Sequence, residues 1–109
     1  MNHDAWDTAG ELAAWLDASD AATVTPEASR ILRCFKLTEE VGEVAQAVIG
    51  ATGQNPRKSY THDWNDVGNE LCDVILAAMV ALETIDPHAR DTFAVRLKYV
   101  ADRATASQT

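Results

Sequence analysis

The chain has 109 residues, 47% hydrophobic and 24% charged, the proportions of one soluble globular domain with a modest core. Its formal net charge of −8 excludes bulk electrostatic binding to a nucleic-acid backbone. It does not exclude a small anionic ligand, because a bound metal can invert the local charge. The first seven residues are acidic and lack an apolar stretch, and no run reaches the length of a membrane span. A single domain over residues 1–109 is expected, cytoplasmic, with neither nucleic acid nor membrane as a partner.

The first predicted helix runs from about Asp4 to Ala18, with Trp6, Leu12, Trp15 and Leu16 as its apolar members. Residues 19–23 form a connector. Thr25-Pro26-Glu27 is a helix start: a threonine N-cap, a proline at the first helical position and an acid in the first turn. This second helix extends to about Gly50–Gly53, its apolar positions Ile31, Cys34, Leu37, Val41, Val44 and Val48 keeping a 3.6-residue period. Residues 53–60 read as a loop. Thr61 or Asp63 caps a third helix that ends near Ile85, apolar along Val67, Leu71, Val74, Ile75, Ala78 and Leu82. Asp86-Pro87 breaks it and opens a fourth, from Pro87 to about Ala104, with Phe93, Leu97 and Val100 expected to be buried. Residues 105–109 are expected to fray. No strand pattern and no repeat is present, so the predicted fold is all-α, a four-helix bundle. Cys34 and Cys72 fall inside helices without metal-ligand spacing and read as buried, reduced thiols.

Two stretches of these helices carry the chemistry. In Lys36-Leu37-Thr38-Glu39-Glu40-Val41-Gly42-Glu43 and in Asn69-Glu70-Leu71-Cys72-Asp73, carboxylates stand three residues apart. A helix turns about 100° per residue, so such a pair shares one face. Glu40 points with Glu43, and Glu70 with Asp73. Four acids facing one another across two helices would repel, and a divalent cation removes that repulsion. Oxygen-only ligands favour a hard ion, Mg²⁺ or Mn²⁺. The plainer reading is a solvated acidic face. Against it, Glu39, Glu40, Glu43, Glu70 and Asp73 have no basic residue four positions on, so helix-stabilising ion pairs do not account for them.

Glu-Glu-x-x-Glu followed by Glu-x-x-Asp, with Thr52-Gly53-Gln54-Asn55-Pro56-Arg57-Lys58 between them, resembles the MazG-like all-α nucleoside triphosphate pyrophosphohydrolases, and the resemblance covers nearly the whole chain. It implies Mg²⁺-dependent cleavage of a (d)NTP to the monophosphate and pyrophosphate, with Mn²⁺ able to substitute. It also implies Glu40, Glu43, Glu70 and Asp73 as metal ligands and Glu39 as the residue that positions or deprotonates the attacking water. Homodimers or homotetramers are implied as well, and the apolar residues found around more than one side of the second and third helices agree.

Phosphoryl transfer needs charge neutralisation and positioning more than covalent help from the protein. Lys36, Arg57 and Lys58 could hold phosphate oxygens beyond the metal. Equally, Lys36 could pair with Glu40, and Arg57 and Lys58 could simply solvate their loop. Trp6, Trp15, Trp64 and Tyr60 could each stack on a nucleobase. Trp15 reads as core, and Trp64 and Tyr60, which flank the loop, as the better candidates. The expected function is nucleotide-pool housecleaning by a nucleotide pyrophosphohydrolase. Its rivals are a phosphoribosyl-ATP pyrophosphatase-like activity and a non-enzymatic acidic helical binding module.

Overall fold

A computed structural model describes residues 3–20 and 22–106. Four helices make up the fold: α1 Ala5–Asp20, α2 Pro26–Thr52, α3 Trp64–Ile85 and α4 Ala89–Ala106. No strand occurs among the described residues, so the all-α class predicted from the sequence is the one observed.

The caps explain where the helices begin and end. Asp4, just before α1, and Asp7, in its first turn, exchange side chain-to-backbone hydrogen bonds at 2.9 and 3.0 Å. The Thr25 hydroxyl accepts from the Ala28 amide at 3.1 Å and Pro26 follows it, so α2 starts where the sequence places it. Asp63, rather than Thr61, caps α3, in a reciprocal box with Asp66 at 2.9 Å each way. At the end of α2, Gly53 takes the left-handed conformation (φ 65°), and its amide bonds back to the Ile49 carbonyl. A Cβ at Gly53 would also meet the Tyr60 ring. The fourth helix begins two residues later than expected. The Asp86 carboxylate accepts from the His88 amide at 2.8 Å, closing a turn around Pro87 before α4 can start.

α2 and α3 form the main antiparallel pair, and α1 lies against α3. The core is small: Ala9 and Ala13 of α1 meet Val80 of α3, with Leu12, Leu16, Leu76 and Met79 packed around them. Arg33 of α2 is buried and joins three helices. Its guanidinium donates to Asp17 at 2.7 Å, to Asp20 at 3.2 Å and to Thr84 at 3.0 Å.

Several residues expected inside lie outside. Phe93, Leu97 and Val100 of α4 are exposed, because α4 meets the rest of the fold through its first turns, against α3 and against Trp6 and Asp7 of α1, and no described helix covers the line beyond them. Cys34 and Cys72 are free and exposed, on helix sides that no other element packs against. Trp15 is 65% exposed, standing at the open edge of α1. Thr105 belongs to α4, and residues 107–109 of the segment expected to fray lie outside the described residues. No described helix is long and apolar enough to cross a membrane.

Candidate metal centre

Glu40 and Glu43 stand on the face of α2 that meets α3, and Glu70 stands opposite. All three are half-buried, and each offers a carboxylate oxygen within 4.8 Å of the others. Burial raises the Glu43 carboxyl above its ordinary value, and the Glu70 and Glu39 charges add to the rise while Lys36 opposes it. Glu70 Oε2 is buried without any hydrogen-bond partner. A buried carboxylate oxygen left unpaired is costly, and each one calls for a partner to account for it. An all-oxygen donor set with one orphaned oxygen fits a hard divalent cation.

Asp73 is placed differently from these three. It lies one turn beyond Glu70, is exposed, and stands outside the 4.8 Å cluster. Together with Glu40 it borders a cavity of about 260 Å³ between α1, α2 and α3. Leu12, Trp15 and Leu16 form one wall, Leu76, Ala77 and Val80 another, and Arg33 and Lys36 complete the lining. Trp15 and Arg33 are thus neighbours of the acids. The position of Trp15 three residues from Leu12 and one from Leu16 marks it as apolar, but only the crossing of α1 over α3 aims it here.

Lys36 is held by its own helix, with Nζ 3.2 Å from Glu39 and 3.6 Å from Glu40. Glu39 is exposed on the outer side of the cluster. Arg57 and Lys58 are exposed in the loop between α2 and α3. Neither lines the cavity beside the acids. Lys58 instead borders a second cavity of about 290 Å³ with Gln46, Asn55, Ser59, Thr61 and His62. Trp64 opens α3 and shares the helix side of Leu71 and Ile75, which is turned away from that of Asp73. The loop returns tightly onto α2: the Thr61 amide donates to the Gly50 carbonyl at 3.1 Å, and a Cβ at Gly50 would collide with Thr61 and His62.

No family model matches this chain. Neither a curated protein nor a solved structure matches it significantly.

Proposed function

We propose that the chain is a divalent-cation-dependent nucleotide pyrophosphohydrolase of the MazG-like kind, converting a (d)NTP to the monophosphate and pyrophosphate in nucleotide-pool housecleaning. One observation carries this reading. Three carboxylates from two helices converge within 4.8 Å at a half-buried junction, where Glu70 Oε2 has no partner. Exposed acids would relax apart, whereas this arrangement holds repulsion in place on a packed helix pair. The adjoining cavity of about 260 Å³ adds support, being near the lower end of small-molecule sites at roughly 300–1,000 Å³.

Glu40, Glu43 and Glu70 would hold the cation, with Asp73 as the fourth acid at the cavity edge. When bound, Mg²⁺ or Mn²⁺ supplies the positive charge that offsets both the carboxylates and the substrate's phosphates. Glu39 would take the proton of the water that opens the phosphoanhydride. Its exposure leaves it free to meet water, and its contact with Lys36 is a surface pair of little stability. Lys36, already at the mouth of the cavity, would turn its charge to the phosphates, helped by Arg57 and Lys58 if the loop closes. The nucleoside would lie along the apolar wall, where Trp15 offers a flat face; Trp64 is the other aromatic proposed for the base. A homodimer or homotetramer is part of the reading, supported by the large apolar side chains left exposed on α2, α3 and α4.

A nucleotide panel that includes phosphoribosyl-ATP, run with Mg²⁺ and with Mn²⁺ and resolved for products, tests the proposal. Monophosphate plus pyrophosphate from a (d)NTP, abolished by Glu40→Gln, is the expected outcome. Metal binding by calorimetry without turnover of any nucleotide would make the chain an acidic binding module. Absence of metal binding would remove the centre itself.

A further inference from the structure

The cavity of about 260 Å³ has two unlike ends. Arg33, Lys36 and Glu40 recur at three- and four-residue spacing on one face of α2, as Asp73, Ala77 and Val80 do on α3. The two helices are antiparallel, so Glu40 and Asp73 share one end while Arg33 lies at the other, toward Val80 and Thr84. From position 33 to 40, or 73 to 80, the helical rise is about 10 Å.

Arg33 is a buried cation in the lining, 7% exposed. A guanidinium carries five N–H donors and no acceptor. The bonds to Asp17 and Thr84 use both hydrogens of Nη1, and the bond to Asp20 uses one of Nη2. These three bonds leave one Nη2 hydrogen and the Nε hydrogen over. Carboxylates of α1 and a hydroxyl of α3 hold the planar group, so it is oriented before any ligand arrives.

The acceptors that hold Arg33 face elsewhere. Asp17, Asp20 and Thr84 border a separate cavity of about 380 Å³ and do not line this one. Lys36, between Arg33 and the acids, has donors only, and so has the Trp15 indole. The rest of the lining is aliphatic. Away from Glu40 and Asp73, the cavity therefore offers a ligand apolar surface and donors, with no side-chain acceptor.

We propose that Arg33 reads the base of the bound nucleotide and selects bases with an oxo group at the outer edge (uracil, thymine, hypoxanthine, guanine) over the amino-bearing cytosine and adenine. This rests on the nucleotide reading of the cavity, with phosphates at the acids and the nucleoside along Trp15. With the phosphates there, the length of the cavity brings the base rather than the ribose to Arg33. An exocyclic carbonyl accepts from a guanidinium N–H, and the O6 and N7 atoms of guanine or hypoxanthine accept from two at once. An exocyclic amino group sets donor against donor and leaves buried N–H groups without partners. Sites built on such hydrogen bonds discriminate far more sharply than apolar ones.

Calorimetric titration of the full chain with nucleoside monophosphates in the presence of Mn²⁺ tests it. Two matched pairs, dUMP with dCMP and IMP with AMP, exchange oxo for amino at one carbon, together with the proton on the adjacent ring nitrogen. The oxo member of each pair should bind about tenfold or more tightly. Arg33→Gln sets an acceptor beside a donor, and Arg33→Lys keeps a charge for Asp17 and Asp20 but gives up the spare donors. With helical circular dichroism kept, either variant should bring the ratio to about threefold or less. The lysine variant decides if the glutamine variant, which leaves two aspartates without their cation, does not fold. Trp15→Phe should weaken both members of a pair and leave their ratio unchanged. Equal binding within the native pairs, an amino preference, no binding of any of the four, or an unchanged ratio in a folded Arg33 variant would overturn the proposal. The kcat/KM values of the matching triphosphates read the enzyme separately. Turnover without oxo preference would overturn this inference and keep the pyrophosphohydrolase reading. Oxo-selective binding without turnover would do the reverse.

Discussion

Glu70 is in tension at the level of a single side chain: a carboxylate oxygen sealed from water, with no donor to meet it and two further glutamates at hand. Replacing it with glutamine removes one charge from the cluster while keeping the shape. Glu70→Gln should therefore raise the melting temperature of the metal-free protein and weaken Mn²⁺ binding by tenfold or more. Differential scanning fluorimetry with and without Mn²⁺ reads both effects, and the native chain should gain more from the ion than the variant does. Glu43 gives the pH dependence. Its value in the folded chain is raised above the ordinary 4.5, so the folded state holds this proton more tightly than the unfolded state. The contribution of Glu43 to metal-free stability therefore falls as pH rises from about 4.5 through the raised value. Metal affinity should move the opposite way, dropping as pH falls through the same window, because the proton competes for the oxygen that the ion needs. Calorimetric titration with Mn²⁺ across the acidic range checks the sign. Asp4 is lowered from its ordinary value, first by the Asp7 amide and then by Arg90, and Asp86 is lowered by Thr92 and by the His88 amide. These two protect the α1 and α4 starts above pH 3.8, the ordinary aspartate value, and release them as pH falls through their depressed values.

Among the elements, the α2–loop–α3 hairpin bears most of the packing, and its glycines divide by what surrounds them. Gly50 has Thr61 and His62 pressed against it, so Gly50→Ala must push the loop off α2 and should destabilise by about 1–3 kcal/mol. Gly42 has nothing near it in mid-helix, so Gly42→Ala should stabilise by roughly 0.5–1 kcal/mol through helix propensity alone. Urea denaturation of the two variants should give shifts of opposite sign. The helix ends were legible in the sequence because capping is local: Thr25-Pro26, Asp63 with Asp66, and Gly53 each act within a few residues. The half-turn delay before α4 was not, since a proline permits either a first helical position or a turn, and the Asp86–His88 bond decides between them. The shared faces of Glu40 with Glu43 and of Glu70 with Asp73 follow from helical spacing. Which of the four converge does not, because that depends on the angle and offset between α2 and α3. The same holds for Trp15 beside the acids and Trp64 on another side: a helix period fixes relative direction within one helix and carries nothing about its neighbour.

For the molecule as a whole, periodicity marked Phe93, Leu97 and Val100 as an apolar line, but an apolar line states a need for cover, not its source. Among the described helices, α1 and α2 pack chiefly on α3, and α4 is met only at its first turns, by α3 and by Trp6 and Asp7 of α1. The anchoring of α4 by its first turns alone has a kinetic consequence. Its backbone amides can open and trade their hydrogens for solvent deuterium without the α2–α3 pair coming apart, so in dilute solution residues 95–106 should exchange orders of magnitude faster than residues 40–50. If the proposed homo-oligomer closes over α4, that fast exchange becomes subject to mass action. Slowing should then appear in α4 as protein concentration rises, while the middle of α2, already governed by unfolding of the hairpin, changes far less. Deuterium uptake followed by mass spectrometry at two concentrations would read the difference peptide by peptide.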